Sequence, residues 1–117
     1  MSGLYFLPEN ARADKPEYSE ALLAGPQNLR LERIISHGHT TAPGQWYDQD
    51  QDEWVAVLQG EACIEYADGS KHFLGAGSTL LLPKGLRHRV SYSSSPCIWL
   101  ALFAHTLTPA PTRFCPA

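Results

Sequence analysis

The 117-residue sequence has no apolar run long enough to span a bilayer. Its first ten residues, MSGLYFLPEN, carry neither a charged leader nor the apolar stretch that directs secretion. A soluble, cytoplasmic protein is the expectation. There is also no basic excess: nine Lys and Arg stand against twelve Asp and Glu, a net charge of −3. That excludes the electrostatic footprint needed for nucleic acid or an anionic membrane surface. The three cysteines, Cys63, Cys97 and Cys115, form no Cys-x-x-Cys pair, and their odd number argues against a disulfide framework. Neither an internal repeat nor a linker breaks the chain, so a single domain is expected. A chain of this length can bury about 65% of its unfolded surface, enough for one core.

What is present reads as short strands punctuated by Gly and Pro. Pro16 followed by EYSEALLAG predicts a short helix stopped at Gly25, within an N-terminal arm covering residues 1–28. The barrel proper is expected over 29–105. Leu29 to Ser36 alternates as a half-buried strand does, Trp54 to Leu58 is apolar, and Glu61 to Ala67 places Ala62, Ile64 and Tyr66 on one face. Asp68-Gly69 predicts a hairpin returning through His72 to Leu74. Further strands follow over Ser78 to Leu82, Arg87 to Ser93 and Cys97 to His105. In the last strand Ile98, Leu100 and Leu102 face one way and Trp99, Ala101 and Phe103 the other, so both faces require cover. Residues 106–117 form a Pro-rich tail, expected to be extended and to expose Cys115. Many short strands with turns every 8–12 residues mean an all-β sandwich or barrel.

Four acids, Asp48, Asp50, Asp52 and Glu53, crowd the entrance to the strand at Trp54. Charges at a strand mouth need water, partners or a cation. Glu53 stands seven residues before Gly60. Downstream, Gly77, Pro83, Gly85 and His88 keep a spacing that arises by chance in about one of several hundred such chains. These two patterns, across roughly Leu29 to Ala104, resemble the two motifs of the cupin family. The resemblance implies a single-domain β-barrel of jelly-roll type, and the free sheet edges and doubly apolar last strand favour a homodimer. It departs in two places: Tyr92 stands where the second motif has Asn, and the His-x-His of the first motif is missing.

The family holds a divalent metal between that His pair, the Glu and the second-motif His. By resemblance Glu53 and His88 transfer. A four-residue gap puts Trp46 and Asp48 at the lost histidine positions, and a three-residue gap puts Tyr47 and Gln49 there. The expected metal set is Asp48, Glu53 and His88, acceptable to Zn, Mn, Fe or Ni. Trp46, Tyr47, Gln49, His37 and His39 are expected to contact a small polar ligand, the two histidines only if their loop folds inward. The implied function is a cupin that binds a small polar molecule through a divalent metal at a partly rewritten site, with sugar-phosphate isomerisation akin to mannose-6-phosphate isomerase as the candidate activity. A metal-free binding or sensor domain is the alternative. A non-haem iron oxygenase would need His37 or His39 at the site.

Overall fold

A computed structural model describes residues 3–110. Eight strands run in chain order: β1 Tyr18–Ala24, β2 Arg30–Ser36, β3 Asp52–Gln59, β4 Glu61–Tyr66, β5 Lys71–Gly75, β6 Thr79–Leu82, β7 His88–Ser93 and β8 Cys97–Ala104. They form a five-stranded sheet in the order β1-β2-β8-β3-β6 and a three-stranded sheet in the order β5-β4-β7. Adjacent strands are antiparallel throughout. The two sheets close over one apolar core as a jelly-roll β-barrel. Val55, Val57, Ala62, Ile64, Leu74, Leu82 and Trp99 fill it, drawn from both sheets.

The motif glycine after β3 is a steric requirement. Gly60 has φ 86°, and a Cβ there would strike the Pro96 carbonyl oxygen and the Ser94 hydroxyl. A side chain at this turn would therefore strain the backbone and push β3 away from the strand that β8 begins.

The helix expected after Pro16 is a strand instead. Glu, Ala and Leu favour helices, but propensity is a weak prior against a full ladder. β1 pairs with β2 from Tyr18↔Ile35 to Ala24↔Arg30, with one irregularity between Ala21 and Leu23. Gly25 does not stop a helix; its N–H donates to the Leu29 carbonyl at 2.8 Å and closes a hairpin around the short 3-10 turn Pro26–Asn28.

Both faces of β8 are covered, from different sources. Cys97, Trp99, Ala101 and Phe103 point into the core. On the other side Ile98 is buried with Ala11 and Ile35, against Tyr18 and Leu58, so the N-terminal segment supplies part of the outer cover. Arg33, only 2% exposed, fastens that segment. It donates to Glu20 Oε1 at 2.6 Å and to the carbonyls of Leu4 and Phe6 at 2.9 and 2.6 Å. No helix of the described residues is long and apolar enough to cross a membrane.

Candidate functional site

A cavity of about 300 Å³ opens at one end of the barrel. Its floor is apolar, made by Val55, Ile64, Leu82 and Val90, with Trp99 and Phe103 as aromatic walls. Glu53 and His88, the two residues that the motifs share, meet on its wall. They come from different sheets, β3 and β7, and the closure of the barrel places Glu53 Oε1 4.0 Å from His88 Nε2. Glu53 is 7% and His88 4% exposed.

The loop before β3 is held against the motif residues by backbone bonds. Tyr47 and His88 exchange both N–H···O bonds, at 2.8 and 3.1 Å, and their rings stack at 5.5 Å. The Gly85 N–H donates to the Gln49 carbonyl at 2.8 Å. Tyr47 and Gln49 therefore line the cavity, and the Gln49 amide donates to Glu53 Oε1 at 3.1 Å. Of the two spacings open in the sequence, the three-residue one brings its residues to Glu53.

The other expected residues lie elsewhere. Asp48 is exposed and lines an adjoining depression with Arg30, Gln49, Asp50, Gln51 and Phe103, and among the described residues it is not grouped with Glu53 and His88. Trp46 lies outside the cavity, with the Arg87 guanidinium 5.8 Å from its ring centre. His37 and His39 do not fold inward. His37 Nδ1 lies 3.0 Å from Ser95 Oγ, while His39 accepts the His37 N–H and donates from Nε2 to the Lys15 carbonyl. Four polar lining residues escaped sequence reading: Glu17, Ser19, Arg30 and Glu32. The period-two pairs Glu17/Ser19 and Arg30/Glu32 were the available signal, hidden in the first case by the helix reading.

Protonation follows from this geometry. Burial pushes the Glu53 carboxyl up to about 7, with Glu32 and Glu17 adding like charge, against the lowering effect of the Gln49 bond. His88 is pushed down, again chiefly by burial. Its Nδ1 lies 2.9 Å from the Leu86 carbonyl, which can only accept, so Nδ1 carries the hydrogen. Neutral His88 then presents a bare Nε2 to the cavity. Glu17 enters from the N-terminal side: its carboxylate accepts from the Ser36 hydroxyl, which in turn accepts from Trp99 Nε1 at 3.1 Å.

The residues that meet do not fit a resident metal. Catalytic centres commonly take three protein ligands. Glu53 and His88 are two, and among the described residues no group of three or more His, Cys, Asp or Glu side chains is placed to hold an ion.

Comparison with known proteins agrees with this architecture. The family profile described as Cupin domain matches residues 33–103. A crystal structure from Ralstonia eutropha JMP134, of a protein provisionally named a mannose-6-phosphate isomerase, is similar at a TM-score of 0.78 and 35% identity, over 91% of this chain and 98% of that one. A cupin superfamily protein from Desulfitobacterium hafniense DCB-2 is similar at a TM-score of 0.67 and 21% identity, covering 80% of each chain. A DMSP lyase from Ruegeria pomeroyi DSS-3 gives 0.65 and 19%, over 80% of this chain and 49% of that one. The last two likenesses concern the fold alone. No curated protein matches the sequence.

Proposed function

The chain belongs to the cupin family, and from that premise we propose that it binds a small polar molecule inside the barrel, with Glu53 and His88 as its proton-handling pair and no resident metal. One observation carries this reading: a carboxyl raised to about 7 and a bare imidazole nitrogen lie 4.0 Å apart on the wall of an otherwise apolar cavity. A carboxyl poised near neutrality can give or take a proton, and a neutral Nε2 can accept one or orient a hydroxyl. Tyr47 and Gln49 close the polar rim. The pair suits a binding module, and it equally suits an enzyme that moves a proton on a bound hydroxyl or carbonyl compound.

A second reading, a metal-dependent enzyme like a sugar-phosphate isomerase, is favoured by the 35% identity to the Ralstonia protein. It requires a further donor beside Glu53 and His88, which Asp48 does not provide from its outward position. Calorimetric titration of Zn, Mn, Fe(II) and Ni into metal-stripped protein separates the two. The expected outcome is no binding tighter than about 1 mM, or about −4 kcal/mol. Micromolar binding that is abolished by His88→Ala would overturn the metal-free reading.

A further inference from the structure

We infer that the ligand is a small organic cation of the alkylammonium class, not a phosphorylated or carboxylated molecule. The inference rests on the cavity being a binding site and concerns what that site selects. Three carboxylates, Glu17, Glu32 and Glu53, line the cavity against a single guanidinium, Arg30. Arg30 is already engaged: Nε donates to Glu32 at 2.8 Å, Nη1 to Gln51 at 3.0 Å, and its face lies 4.1 Å from the Phe103 ring centre. The Arg30–Glu32 pair is thus close to self-neutralised. What remains is Glu17, held by a neutral hydroxyl, and Glu53, held by a neutral amide. An anion entering here meets the exposed Glu17 carboxylate on the N-terminal side and the buried Glu53 within, while the guanidinium of Arg30 is already paired.

Hydrogen-bonding capacity points the same way. A cation beside Glu53 favours its ionised form, in which the carboxylate only accepts. His88 Nε2 also only accepts, because Nδ1 carries the hydrogen, and among the described residues Nε2 has no hydrogen-bond partner although His88 is 96% buried. The Gln49 amide already gives one of its N–H donors to Glu53. The deepest polar wall is therefore a set of acceptors that needs a ligand rich in donors. An ammonium carries three N–H donors and no acceptor. It also suits the walls, since Tyr47 and Trp99 add aromatic surface to the cavity and such faces attract cations. The protein already places one cation over an aromatic ring here, Arg30 on Phe103.

Matched probes test this first on the wild-type chain. Butylammonium, 1-butanol and butyl phosphate are titrated into the full chain while the imidazole signals of His88 are followed by NMR. Butylammonium should shift those signals and bind about tenfold or more tightly than either partner probe. Glu17→Gln should weaken the ammonium and leave the alcohol unchanged, and Glu17→Lys should move the preference towards the phosphate. Should butyl phosphate or butanol shift His88 while butylammonium does not, the cation inference falls and the binding site itself stands. If none of the three perturbs His88, both fall together.

Discussion

Asp52 and Glu53 are consecutive residues on β3, each 7% exposed, and they meet opposite fates on the two faces of one sheet, Asp52 close to the surface and Glu53 deep in the cavity wall. Asp52 points out. Its Oδ1 accepts the Lys84 N–H and its Oδ2 the Leu107 N–H, both at 2.8 Å. These bonds, the Leu107 one foremost, hold the carboxyl below its ordinary value. Glu53 points in, where one amide is its partner and burial raises it to about 7. Depth raises the Glu53 carboxyl while backbone donors near the surface lower that of Asp52, so depth and donors together set a carboxyl's charge. Outside, backbone N–H groups make the carboxylate a structural clasp between the β6–β7 turn and the segment after β8. Inside, their absence leaves a carboxyl that burial pushes up to about 7. The other acids of the cluster, Asp48 and Asp50, keep their water.

The largest effect that sharpens this contrast is on stability against pH. A folded-state value raised from 4.5 to about 7 means that the contribution of Glu53 is fully present below about pH 4.5 and is lost as pH rises to about 7. The loss is about 3 kcal/mol. Glu53→Gln should remove that slope, so the variant is more stable than wild type at pH 8 by up to that amount and nearly equal at pH 4. Urea denaturation across this range measures it. An unchanged slope in the variant would mean that Glu53 ionises freely, and the contrast with Asp52 would collapse.

A smaller change of opposite sign is expected on the outer face. Because the Asp52 carboxyl is lowered, its contribution is present above the ordinary aspartate range and is lost as pH falls through the folded value. Asp52→Asn turns one oxygen into a donor facing a backbone N–H, so it should lower Tm at pH 7, with the gap to wild type closing as the medium becomes acidic. Equal Tm values at pH 7 would show that the clasp carries no stability.

How far the site was legible divides along the same line. The barrel could be read because its turns are written in Gly and Pro, and because the Ala62, Ile64 and Tyr66 row of β4 and the Trp99, Ala101 and Phe103 row of β8 both pack in the core. Glu53 and His88 were legible through spacing alone. The choice between Asp48 and Gln49 was not, since residues 48–51 belong to no strand and alternation cannot be counted through them. What aims Gln49 inward is a bond from Gly85, thirty-six residues further on. Glu17 was hidden because YSEALLA reads as helix, and only pairing to β2 makes it a strand.

The outer layer has one open margin. β1 is an edge strand of the larger sheet, and Leu22, Leu23 and the Leu4–Leu7 stretch are exposed beside it or on it. An apolar edge of this kind favours closure by a second copy about a two-fold axis. A homodimer is therefore proposed, with light scattering at micromolar concentration as its measure. Leu23→Glu should shift the species towards the 12.9 kDa monomer; wild type running as a monomer would leave the N-terminal segment as the sole cover.

The smallest effects expected are those on the thiols, and they carry the inside–outside contrast away from the cavity. Cys97 lies in the barrel core, and burial pushes its thiol up to about 12, so thiolate is scarce at neutral pH. Cys63 is also buried at 2% exposure, yet it sits on the outward row of β4, opposite Phe73 on β5 and Tyr92 on β7. Those two aromatics are themselves exposed, so Cys63 has only a thin cover. Neither cysteine should be labelled by a thiol reagent in the native protein. Phe73→Ala should open Cys63 to labelling while Cys97 stays silent until denaturant is added. The expectation that Cys115 reacts at once concerns a residue outside those described, and it serves as the internal positive control in a mass-resolved assay. If Cys97 were labelled as fast as Cys63 in the Phe73 variant, the variant would have loosened the whole barrel, and Phe73 would be a core residue despite its exposure.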